Sequence, residues 1–221
     1  MSKNLGPIHY MMYEKIKFQD KITDYIMEGK TEEIDKDFPK VKTDPLEDLV
    51  DQENIHGWLS SRIDMVENRL ARAINLSKNP EEKFYELGKI EGSKEKLDSF
   101  EEVFDKLNLR LLDGMPCDRA LRAGMDQDGN LLLITDTNLH QQYEKQAINP
   151  EDSLTDSCEG GHDHDSHESF EIGKVSGVEN KKEKSKYHQM RYEFIKGFLE
   201  NSPFKAELLD GVNIKISREI F

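Results

Sequence analysis

A single apolar stripe governs the reading of this chain. Leu49, His56, Leu59, Ile63, Val66, Leu70 and Ala73 recur at steps of three, four or seven residues. That spacing is the period of a helix buried along one side. A helix of this kind needs neighbours to cover its apolar side, so it points to a helical bundle. Thr43 or Asp44 is expected to cap it, Pro45 to sit in its first turn, and Glu47 and Asp48 to face the positive end of its dipole. Its opposite, solvated face is expected to carry Arg62, Asp64, Glu67, Asn68, Arg69 and Arg72.

Other segments repeat the pattern. From Gly6 to Gly29, Ile8, Met11, Met12, Ile16, Ile22, Tyr25 and Ile26 form a second amphipathic helix, with Pro7 in its first turn and Gly29 as its stop. Residues 30–43 read as a connector. Asn79-Pro80-Glu81-Glu82 opens a third helix whose inner face is Phe84, Leu87, Leu97, Phe104, Leu107 and Leu111. Gly88 and Gly92 lower its intrinsic stability and mark a close crossing. Asp113-Gly114-Met115-Pro116 ends it, and Asp128-Gly129 is a turn. Leu131–Ile134 is a buried run of either type, and Thr135–Gln146 a further helix. A last helix carries Met190, Phe194, Ile195, Phe198 and Leu199, and Asp210-Gly211 sits between residues 206–209 and 212–217, the pattern of a C-terminal β-hairpin. The expected fold is mainly α: a bundle of four to five helices with a small C-terminal β-hairpin.

Residues 150–186 are different in kind. Six of these 37 residues are apolar, and acids outnumber lysines ten to five. Such a segment cannot bury enough surface to offset its ordering entropy. The expected organisation is therefore a core from 1–149, a flexible acidic insertion over 150–186, and 187–221 completing the same domain.

The chain has 221 residues and a net charge of −14. Leu, Ile, Val and Phe make up 54 of them, enough for a modest core. The acidic balance argues against nucleic acid as partner, because phosphates repel such a surface. No apolar run is long enough to span a bilayer and the start lacks a signal region, so a cytoplasmic protein without a membrane partner is expected. Two cysteines, Cys117 and Cys158, without CxxC spacing fit a reducing compartment.

Four histidines, His9, His56, His140 and His188, fall on four expected helices. Antiparallel helices bring such residues to one level, where imidazoles suit zinc, iron, nickel or copper. Glu53 lies three residues before His56, and Glu144 four after His140, so each pair shares a helical face. The core metal candidates are thus His9, His56, His140, His188, Glu53 and Cys117, with Asp113 and Asp118 as carboxylates of the same corner. The alternative for the histidines is that His56 is a hydrogen-bonded core residue and the other three lie scattered on the surface. Cys117, after Gly114 and Pro116 and near Arg119, is also a candidate thiolate nucleophile. Alternatively it is a small buried residue at a helix corner. His162, His164 and His167 alternate with acids and form a candidate metal-capture tract, with a solvated loop as the alternative.

The pieces Leu5-Gly6-Pro7-Ile8-His9-Tyr10, Ile55-His56-Gly57-Trp58-Leu59, Asp113-Gly114-Met115-Pro116-Cys117-Asp118 and Ile195-Lys196-Gly197-Phe198-Leu199-Glu200 together resemble a family of uncharacterised bacterial helical proteins. The resemblance covers most of the chain outside 150–186 and implies one continuous domain, with no activity attached. The leading functional expectation is a metal-binding helical protein, a metal-dependent enzyme if one coordination position stays open. Its competitors are a non-catalytic protein-interaction module, with a protein partner or a second copy of the chain, and a cysteine-dependent enzyme using Cys117.

Overall fold

The computed structural model describes residues 5–51, 53–113, 121–135, 140–148, 173–174 and 185–219. The insertion expected over 150–186 lies almost wholly outside the described residues, as do Cys117, Asp118, Cys158, His162, His164 and His167. Eight helices and five strands occur among the described residues. The chain is mainly helical, with a larger sheet than the lone hairpin expected.

Helix α1 (Pro7–Ile26) starts with Pro7 in its first turn, as its missing N–H allows. It stops before Gly29, whose φ of +75° suits a residue without Cβ and whose N–H reaches the Asp24 carbonyl at 2.8 Å. The segment that follows carries two single-turn helices, α2 (Glu32–Asp35) within the expected connector and α3 (Leu46–Leu49) where the second helix was expected to begin. The long helix expected from Thr43 starts later, as α4 (Ile55–Leu76). The break lies where short polar side chains take over the backbone donors. Asp51 Oδ1 accepts from the Glu53 N–H at 3.0 Å, and Asn54 Oδ1 from the Gly57 N–H at 3.1 Å.

Helices α1 and α4 run parallel, which overturns the antiparallel expectation. Contacts advance together along both: Tyr13 meets Trp58, Gln19 meets Glu67, Asp20 meets Arg69, and the Ile26 carbonyl meets Ser77. The connector carries the chain back to the starting end. Arg69 ties it down, with Nε on Asp20 Oδ1 at 2.6 Å and Nη1 on Asp35 Oδ1 at 2.7 Å and on the Phe38 carbonyl. Arg69 and Glu67, expected on a solvated face, are therefore buried. α1 covers one flank of α4 and the connector another, so more than the apolar stripe is enclosed.

The third expected helix is two. α5 (Pro80–Gly92) ends at Gly92, and Ser99 opens α6 (Phe100–Asn108) by exchanging hydrogen bonds with Glu102. The close crossing expected at Gly88 and Gly92 is present, against α8 (Lys186–Phe198). A Cβ on Gly88 would lie 2.1 Å from the Phe194 carbonyl oxygen, and one on Gly92 2.0 Å from that of Phe198.

Strands β1 (Leu121–Met125), β2 (Leu131–Thr135), β3 (Gly173–Lys174), β4 (Phe204–Leu208) and β5 (Ile214–Arg218) form one sheet in the order β3-β1-β2-β5-β4. The Asp128-Gly129 turn joins β1 to β2, and Leu131–Ile134 is a strand buried along its length. The helix expected from Thr135 begins only at α7 (Gln141–Ile148). A C-terminal hairpin forms, but its strands are shifted from those expected: Leu208 pairs with Ile214, and residues 209–213 make a longer loop in which Asp210 accepts from the Val212 and Asn213 N–H groups. Its β5 also pairs with β2, so the hairpin extends the sheet.

Among the described residues the apolar interior is two clusters. One joins the ends of α1 and α4 to α5, α6, α8 and the sheet; the other joins the beginnings of α1 and α4 to the connector. Between them runs a polar seam. Gln19 lies between Ile16 and Ile22 on α1, Glu67 between Val66 and Leu70 on α4, and Asp113 follows Leu111 and Leu112. No helix among the described residues is long and apolar enough to cross a membrane.

Candidate functional site

The seam gathers side chains from remote parts of the chain. Gln19 on α1 donates from Nε2 to Glu67 Oε1 at 2.7 Å. Glu67 Oε2 lies 2.7 Å from His140 Nδ1, on the residue that opens α7. His140 Nε2 lies 3.9 Å from Asp113 Oδ1. The same Asp113 oxygen accepts from Arg191 Nη1 of α8 at 3.0 Å, and that Nη1 also reaches Thr135 Oγ1, at the end of β2, at 2.8 Å. Tyr187 stacks on His140 with ring centroids 3.5 Å apart. His188 stands edge-on to His140 at 6.4 Å. Arg191 and His188 are each only 1 % exposed.

Local folding explains why these residues face inward. The carbonyl of His140 accepts from the N–H groups of Tyr143 and Glu144, which anchors its ring at the start of α7. Tyr143 donates to Asp64 at 2.5 Å, docking α7 on α4. Ser185 caps α8, and Glu144 accepts from the Tyr187 N–H at 2.9 Å. His188 and Arg191, one turn apart on α8, therefore share a face.

Electrostatics set the charges. Burial pushes His140 down, but Glu67 and Asp113 on its two sides outweigh it and raise the ring to about 9. Burial pushes Asp113 up, and Arg191 and His140 outweigh that, leaving its carboxyl at about 2. Burial and then the positive charges of His140 and Arg191 push His188 down to about 4. At neutral pH His140 is therefore an imidazolium, Asp113 a carboxylate and His188 a neutral imidazole. Several of its buried atoms have no hydrogen-bond partner among the described residues: Asp113 Oδ2, both ring nitrogens of His188, and Nε and Nη2 of Arg191. Buried polar groups are nearly always satisfied, so these atoms are exceptions concentrated in the seam.

The structure sorts the histidines into two pairs rather than one centre. His9 and His56 meet edge to face at 5.5 Å near the starts of α1 and α4. His140 lies beside Glu67, about ten residues further along α4, roughly 15 Å at 1.5 Å rise per residue. Parallel packing keeps the levels apart. Burial also reverses the alternative assignment: His56 is exposed, whereas His9, His140 and His188 are buried. His9 acts at its helix start, where Nδ1 accepts the Gly6 N–H at 2.8 Å. Glu53 is exposed and precedes α4, so the helical spacing assumed between it and His56 is absent. Glu144 is likewise engaged by Tyr187 rather than paired with His140. Among the described residues no three His, Cys, Asp or Glu side chains are grouped to hold a metal ion. Asp113 does face His140, as the corner reading allowed, but as its counter-ion.

Sequence reasoning missed Glu67, Gln19 and Arg191. The available signal for Arg191 was its position one turn after His188 and one turn before Phe194 and Ile195, on the apolar side of its helix. No family model, curated protein or solved structure matches the chain.

Proposed function

We propose that this chain binds a small oxyanion in the buried seam, with Arg191 as its principal ligand. The observation that carries the reading is the state of the guanidinium. Arg191 is almost completely enclosed, and its Nη1 is taken up by Asp113 and Thr135. The Nε–H and the neighbouring Nη2–H are left without a partner among the described residues. That edge presents parallel N–H bonds, the geometry that takes a carboxylate or phosphate bidentately. Leaving such donors dry costs roughly 1–3 kcal/mol each, which a bound anion recovers.

Binding is favoured over proton transfer by the same electrostatics. A general acid or base works best with a pKa near the operating pH. His140 at about 9 and His188 at about 4 lie well to either side of neutrality. The groups therefore act as fixed charges and dipoles. The test is calorimetric titration of the full chain with acetate, phosphate and sulfate. Arg191→Lys keeps the charge but loses the fork, and is expected to weaken binding by tenfold or more. Undiminished binding in that variant would sink the assignment.

Metal binding remains a second reading, favoured by the His9–His56 contact at 5.5 Å. It faces an obstacle in the tautomer. Because His9 Nδ1 accepts the Gly6 N–H, its Nε2 carries the proton, and ligation there requires dropping that bond. Zinc or nickel is therefore expected to bind weakly, with loss in His56→Ala. Stoichiometric metal retained through purification of untagged protein would show that this account of His9 is wrong.

A further inference from the structure

We propose that the ligand of the seam is a carboxylate carrying a hydroxyl or amine on the adjacent carbon, a class that includes 2-hydroxy and 2-amino acids. This rests on the oxyanion reading and sharpens it. Three buried groups of the seam are left unmatched among the described residues. Arg191 offers Nε–H and Nη2–H, which call for two acceptor oxygens in one plane. Asp113 offers the opposite need. Its Oδ1 is held by Arg191 Nη1, while Oδ2 is buried without a partner among the described residues and, being ionised, only accepts. His188, neutral, adds one donor and one acceptor, both unmatched and both buried.

A simple anion such as acetate or sulfate satisfies the donors alone. It leaves the buried Asp113 Oδ2 with nothing to accept. A ligand with its own O–H or N–H next to the carboxylate answers both sides. The two halves of the recognition are neighbours, because the Asp113 carboxylate takes a hydrogen bond from the same guanidinium, through Nη1 at 3.0 Å. A carboxyl group and the substituent on its neighbouring carbon have that same side-by-side relation. Inorganic phosphate in its monoprotonated form also carries both acceptor and donor, but it is tetrahedral and does not match the planar fork as closely.

The experiment compares acetate, glycolate, glycine and inorganic phosphate by calorimetry against the full wild-type chain at neutral pH, and needs no variant to fold. Glycolate or glycine is expected to bind at least about tenfold more tightly than acetate, the factor associated with leaving one buried acceptor unmatched. Equal affinity of glycolate and acetate would overturn this class while leaving the oxyanion site standing. Phosphate binding more tightly than every carboxylate would do the same. No binding by any of the four would overturn both readings. Where Asp113→Asn folds, the glycolate-to-acetate ratio is expected to fall toward one, and an unchanged ratio would show that Asp113 is not the discriminating group.

Discussion

His140 and His188 face each other across the seam in opposite protonation states, and the pH dependence of stability follows. His140, flanked by Glu67, Asp113 and His188, has its folded pKa raised to about 9. Its contribution is complete below the ordinary imidazole value and is lost as pH rises through 9. His188, facing His140, Arg191, Asp113 and Asp210, is lowered to about 4. Its contribution is complete above the ordinary value and is lost as pH falls toward 4. Each shift corresponds to an effect on the order of 3 kcal/mol. Urea midpoints are therefore expected to peak between pH 6 and 7 and to fall on both sides. His140→Gln should flatten the alkaline limb, and a midpoint still falling between pH 7 and 9 in that variant would show the limb has another source. The histidines were legible as unusual, but their burial was not. His56 sits on the stripe by spacing yet is exposed, because α4 begins only at Ile55 and its first turn lies at the edge of the packed region.

Element packing rests on two devices of different legibility. Gly88 and Gly92 could be read from the sequence, since nothing else justifies two glycines within one helix. Gly88→Ala is expected to destabilise by about 3 kcal/mol, because the new methyl meets the rigid backbone of α8 rather than a mobile side chain. A denaturant midpoint within error of wild type would mean the helices separate freely. The Arg69 tie could not be read in advance. Its partners Asp20 and Asp35 lie 49 and 34 residues away, and only the parallel return of the chain joins them. Arg69→Ala is expected to cost about 3–5 kcal/mol, since it leaves the buried Asp20 carboxylate without its cation. The larger share of that loss should be recovered if Asp20 is also replaced by Asn, as a double-mutant cycle would reveal.

On the scale of the whole molecule, the last 35 residues are as central as the first. Tyr187, Met190, Phe194, Ile195, Phe198, Phe204, Ile214 and Ile216 belong to the same apolar cluster as Phe84, Leu87, Leu107, Leu131 and Leu133. Truncation after residue 185 is expected to abolish cooperative unfolding, not to leave a smaller stable bundle; a sharp thermal transition in that fragment would contradict it. Helix starts at Pro7 and Pro80, the turn at Asp128-Gly129 and the existence, though not the strand bounds, of the C-terminal hairpin followed from the residues alone, because caps, prolines and tight turns depend on neighbours within a few positions. The polar seam did not. Glu67 and Arg69 border the apolar stripe of α4, one turn from Ile63 and Leu70 and from Val66 and Ala73, and they became interior only when α1 lay alongside in parallel and the connector closed over the other flank. Periodicity reports one buried side of a helix; how many sides are covered, and by which distant charges, depends on the path of the chain between elements.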